Sequence, residues 1–145
     1  MKKLIYATLG ILISTNVAAN VPKSKLLTLI TTPEPQTQLM AMILSMQSLK
    51  QGSHINILLC GPAGDLALNE APETAVSPQK PMNISPQELM KKIINTGAEV
   101  DVCALYLPNK GLSVDALIEG VKSAKPSGMY FFFFFHQLFF VQTLL

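Results

Sequence analysis

The chain reads as a single α/β domain, a three-layer α/β/α sandwich built on a parallel sheet. Three observations predict it. Three short runs rich in leucine and β-branched residues are each followed by segments with helical apolar spacing, which gives the order β-α-β-α-β-α. The runs are apolar on both sides, as in strands covered on both faces, and not alternating. With 145 residues, about half of them apolar, the chain can bury one moderate core. Right-handed crossovers then make the sheet parallel, with helices on both faces.

The first twenty residues, MKKLIYATLGILISTNVAAN, form a secretory signal: Lys2 and Lys3, an apolar core from Leu4 to Ile13, a polar break at Ser14 to Asn16, and small residues before a cleavage point after Ala19. The expected division is a signal peptide at 1–19, the α/β domain at 20–126 and an atypical hydrophobic tail at 127–145. A lysine-led signal of this length fits a periplasmic protein, and a retained anchor is the weaker reading because the apolar core is short for a bilayer span. Loss of Lys2 and Lys3 takes the formal charge of +2 to zero. All eleven basic residues are lysines, so no guanidinium fork exists for bidentate recognition of phosphate or guanine, and nucleic acid is excluded as a partner class.

SKLLTLITT is the first strand, ended by Pro33 and Pro35. From Gln36 to Leu49, Leu39, Met42, Ile43, Met46 and Leu49 keep helical spacing, and Gly52 stands where a C-terminal cap belongs. HINILLCG is the second strand, closed by Gly61 and Pro62 with Cys60 at its carboxyl end. GPAGDLAL is a turn or short helix. Its two glycines and Asp65 could form an anion-receiving nest, yet it has neither the lysine and hydroxyl of a P-loop nor GxGxxG spacing. Asn69 to Asn83, with Pro72, Pro78 and Pro81, is an irregular surface excursion in a position to act as a lid. Ser85, Pro86 and Glu88 supply an N-cap, a first-turn proline and a capping-box acid for a helix that stops at Gly97. Glu99 to Leu107 reads as the third strand, and Ser113 with Asp115 as the start of a last helix. In that helix Val114, Leu117, Ile118 and Val121 share a face up to Lys125 and Pro126.

A further strand normally completes such a sheet, and GMYFFFFFHQLFFVQTLL stands in its place. Three readings fit that tail: the product of a shifted reading frame, a hydrophobic strand or helix docked on the sheet, or a membrane anchor weakened by His136, Gln137 and Gln142. Membrane contact is expected only if the tail is genuine.

The chemistry-bearing candidates are few. Cys60 and Cys103 are the two cysteines, with no CxxC and no Cys/His grouping at zinc spacing, so no metal and no cofactor is expected. Cys103 lies in a strand heading for a turn, and ligands of open α/β sheets collect beyond the carboxyl ends of the strands. One reading is a thiol helped toward its anion by the N–H groups of that turn and by the helix opened at Ser113. The other is a small buried hydrophobe. Cys60 carries the weaker form of the same choice. A Cys60–Cys103 disulfide needs neighbouring strands and level residues, with Cα atoms within about 7 Å. His54 and His136 have no carboxylate or serine at a telling distance, and Met42 and Met46 sit at core-filling positions.

GDLAL, SPQELMKKIINTGAEVDVCALYLPNKGL and ALIEGVKSAKP together resemble the DsrE/DsrF-like family of sulfur-handling proteins, in an exported form. The resemblance runs from Lys25 to about Pro126, and its most specific part is VDVCALYLPNKGLS. It implies a compact α/β/α domain, homo- or hetero-oligomers, and a persulfide on the cysteine matching Cys103 that is passed between a sulfur donor and an acceptor protein. It assigns Cys60 no role. The resemblance thus implies a sulfur carrier or sulfurtransferase working through Cys103. The alternative is a non-catalytic small-ligand or assembly module in which both cysteines only pack.

Overall fold

In the computed structural model, which describes residues 24–125 and Ser127, the elements follow one another as strand, helix, strand through the chain. They are β1 (Lys25–Ile30), α1 (Pro35–Lys50), β2 (His54–Leu59), a 3-10 segment (Gly61–Ala67), α2 (Glu73–Val76), α3 (Pro86–Ile94), β3 (Glu99–Val102), α4 (Tyr106–Lys110), a 3-10 turn (Val114–Ala116) and β4 (Val121–Ser123). The expected signal segment and, beyond Ser127, the phenylalanine-rich tail lie outside the described residues.

All pairings in the four-stranded sheet are parallel, in the order β1-β2-β3-β4. The α/β architecture expected from the three apolar runs is therefore present. Right-handed crossovers in a sheet of this order put the connections on one face. Consistent with this, α1 and α3 pack against each other, and Leu39, Met42, Met90 and Ile93 share one core with Ile30, Ile57, Leu59, Val100 and Val102. The described residues thus supply two of the three expected layers. Strand alternation sends Leu27, Leu29, Asn56, Leu58, Glu99, Asp101 and Lys122 to the other face.

The local signals that define the two long helices hold. Helix α1 ends in a Schellman arrangement: the Gly52 N–H donates to Leu49 O and the Ser53 N–H to Ser48 O, with Gly52 at φ +88. Its start is capped by Glu34, whose carboxylate accepts from the N–H groups of Gln36 and Thr37 at 3.0 and 2.6 Å. These bonds hold the Glu34 carboxyl below its ordinary range. At α3, Ser85 Oγ accepts from the Glu88 N–H, the N-cap half of the expected capping box, while the Glu88 carboxylate pairs with Lys92. The excursion after Asn69 contains α2, anchored by the buried Ala75, and an antiparallel bridge between Gln79 and Ile84.

Two expectations fail near the carboxyl end. The third strand stops at Val102, five residues short of Leu107, because the chain turns: the Tyr106 N–H donates to Cys103 O and α4 begins. A short apolar run such as Ala104–Leu107 does not by itself separate strand from helix. The helix expected after Ser113 is a single 3-10 turn. Its backbone groups bond across to the end of the earlier 3-10 segment: Ile118 N–H to Ala67 O, Asn69 N–H to Ala116 O, and the Asn69 amide to the carbonyls of Asp115 and Leu117. With those partners taken, no i to i−4 ladder forms, and Val121, read as helical, begins β4.

Candidate functional site

Parallel strands of one sheet end together, so side chains just beyond their carboxyl ends are brought level by register alone. Leu59 pairs with Val102, and one residue further Cys60 stands beside Cys103. Both cysteines extend the ladder past the named strands: the Cys60 N–H donates to Ile30 O at 2.9 Å and the Cys103 N–H to Leu59 O at 2.8 Å. Their Cα atoms are 5.0 Å apart and their sulfurs are joined in a disulfide. The geometric condition that the sequence left open is therefore met.

Leu59 and Val102 are fully buried against the helices. Alternation turns Cys60, which keeps an extended backbone, to the opposite side of the sheet, and Cys103 with it. Both cysteines are half-buried. The pair is a partly open rim feature, neither sealed in the core nor fully in solvent.

The turns that follow the two cysteines are locked together by a polar cluster that the sequence did not disclose. Tyr106, three residues past Cys103, donates its hydroxyl proton to Asp65 Oδ1 at 2.6 Å, five residues past Cys60. Lys110 closes on the same oxygen at 3.0 Å, and its ammonium lies 5.8 Å from the centre of the Tyr106 ring. The ring lies against Gly64, where any Cβ would clash with it. Burial, then the hydrogen bond to Asp65 and its negative charge, push the Tyr106 hydroxyl well above its ordinary range, so it remains a donor. Asp65 was legible only as one member of a glycine-bearing turn. Nothing in the run ALYLPNK marks Tyr106 as its partner, because the pairing exists only through the strand register.

The expected help for a Cys103 thiolate from a helix at Ser113 is absent, since that segment is one 3-10 turn, and the Tyr106 N–H is already committed to Cys103 O. His54 lies at the other end of β2, beside a shallow cleft lined by Lys25, Gly52, Gly97 and Glu99. Six residues of strand separate it from Cys60, roughly 20 Å. Among the described residues no three of the His, Cys, Asp and Glu side chains gather as a metal site, and no helix is long and apolar enough to cross a membrane.

No family model matches the chain, and no curated protein matches it in sequence. Solved structures do. The ychN protein from E. coli superposes with a TM-score of 0.57 at 15% identity, covering 74% of this chain and 88% of that one. A protein of unknown function from Methanobacterium thermoautotrophicum, MTH1491, gives a TM-score of 0.53 at 12% identity, covering 71% and 83%. At these identities the likeness is one of fold.

Proposed function

We propose that this chain is an exported, DsrE-like sulfur-handling protein that carries sulfane sulfur as a persulfide on Cys103 when the Cys60–Cys103 pair is open. The observation that carries this reading is the position of the pair: two half-buried cysteines, level with each other, at the carboxyl rim of a parallel sheet. That rim is where open α/β folds bind what they act on. The resemblance of VDVCALYLPNKGLS to the DsrE/DsrF-like proteins gives Cys103 the carrier role, and the fold shared with ychN and MTH1491 is compatible with it. A closed pair is the state an oxidising compartment favours, which suits export to the periplasm. An acceptor protein would approach the rim from the face turned away from α1 and α3.

The test is incubation of the reduced protein with a small-molecule persulfide, followed by peptide mass spectrometry. One added sulfur on the Cys103 peptide is the expected result, with none in Cys103→Ser. A Cys103→Ser protein that loads equally well overturns the reading.

The bond between the two strands also favours a second reading, a structural staple. Its signature is a pair that stays closed under dithiol reductants until the domain unfolds. A carrier must open while folded, and thiol titration of the native protein during reduction separates the two.

A further inference from the structure

The carrier reading leaves Cys60 without a task, and the closed pair supplies one. Resting on that reading, we propose that the Cys60–Cys103 disulfide is itself the form that accepts sulfur, and that its substrate is inorganic hydrosulfide. HS⁻ attacks Sγ of Cys103, a new S–S bond forms there, the Cys60–Cys103 bond breaks, and Cys60 leaves as a thiolate. The proton of the added sulfur passes to the Cys60 thiolate, the more basic of the two. The products are a Cys103 persulfide anion and a Cys60 thiol. The sulfide sulfur is oxidised to the sulfane level and Cys60 is reduced, so the step needs no other oxidant. Run backwards, Cys60 attacks Sγ of Cys103 and expels HS⁻, which makes Cys60 the resolving thiol of the same couple.

Three observations carry the proposal. The sulfurs belong to residues that are half-buried, which admits a small anion and restrains bulky thiols. The turns they open, residues 60–68 and 103–112, hold one carboxylate and one ammonium between them, and these are Asp65 and Lys110, 3.0 Å apart. With the Tyr106 hydroxyl also on Asp65, those turns present no uncompensated negative charge to an incoming anion, and Asp101, two residues before Cys103 on the same sheet face, has Lys122 beside it in register. Finally, Cys60 and Cys103 are the only cysteines in the chain, so the displaced Cys60 thiolate has one partner within the molecule to which it can return.

The experiment uses the oxidised mature protein under anaerobic conditions, titrated with sodium sulfide, trapped with an alkylating agent and mapped by mass spectrometry. The expected product carries a simple alkyl group on Cys60 and an alkylated persulfide on Cys103. Its fraction should rise with sulfide, and glutathione at equal concentration should open the pair far less. An unreacted pair, or sulfur found on Cys60, overturns the proposal. Loading of the reduced protein by a small-molecule persulfide is measured in parallel. If Cys103 loads there while the oxidised pair ignores sulfide, only this step is wrong and the carrier reading stands. If neither form loads, both fall. Cys60→Ser has no bond for sulfide to open, and its loss of sulfide uptake with retained persulfide loading is the matching positive result.

Discussion

Tyr106 donates to Asp65 across the rim of the sheet at 2.6 Å, joining the turn after β3 to the turn after β2. Replacing Tyr106 with phenylalanine keeps the ring and removes the donor. Asp65 retains Lys110 and some solvent, so the expected cost is about 1 kcal/mol, a fall of roughly 4–8 °C in the unfolding midpoint for a domain of this size. Thermal unfolding by circular dichroism checks it. The raised hydroxyl pKa adds a sign: the contribution is complete below the ordinary tyrosine value of about 10 and is lost as pH rises beyond it. The wild type should therefore lose its margin over Tyr106→Phe in strongly alkaline solution.

Gly64 has no side chain because the Tyr106 ring occupies its space. A Gly64→Ala protein must move a ring that is only 5% exposed, at an expected cost of about 1–3 kcal/mol. The combination Gly64→Ala with Tyr106→Ala should cost less than the two changes summed, which a double-mutant cycle on unfolding free energies measures.

Asp101 lies on the sheet face turned away from the two long helices, and desolvation, with Glu99 nearby, raises its carboxyl pKa against a smaller opposing effect of Lys122. A raised carboxyl is uncharged in both states at low pH and penalised in the folded state once ionised. Asp101→Asn is therefore expected to unfold at higher temperature than the wild type at pH 7. The gap should close as pH falls below about 4, where the unfolded aspartic acid is also protonated.

Reduction of the disulfide frees a loop of 43 residues' separation. The chain-entropy account puts the loss at about 4 kcal/mol. Urea unfolding with and without a dithiol reductant measures it. A midpoint that does not move would show that the bond contributes nothing to stability.

How much of this was legible follows from the range over which each signal acts. Gly52, Ser85 and Gly97 act within one turn of the chain, and the two long helices end where those residues place them. The parallel sheet followed from alternation of element types. The region after Val102 failed for the opposite reason: Asn69 and Ala67, nearly fifty residues upstream, bind the backbone that Ser113 and Asp115 were expected to wind into a helix. Cys103 was read as lying inside a strand that ran on to Leu107, and it lies one residue beyond the strand's end at Val102. That Cys60 is its partner depends on register, which no local pattern encodes. The same holds for Asp65 and Tyr106.

Each strand in the order β1-β2-β3-β4 is laid beside the one made just before it. None has to be inserted between two that are already paired. A chain emerging amino end first can add its strands outward in a single direction, and Cys60 has no partner until the third strand arrives with its counterpart. During that interval the nascent protein has a free thiol that the finished one lacks. Any catalyst of thiol oxidation that the chain encounters would meet it then.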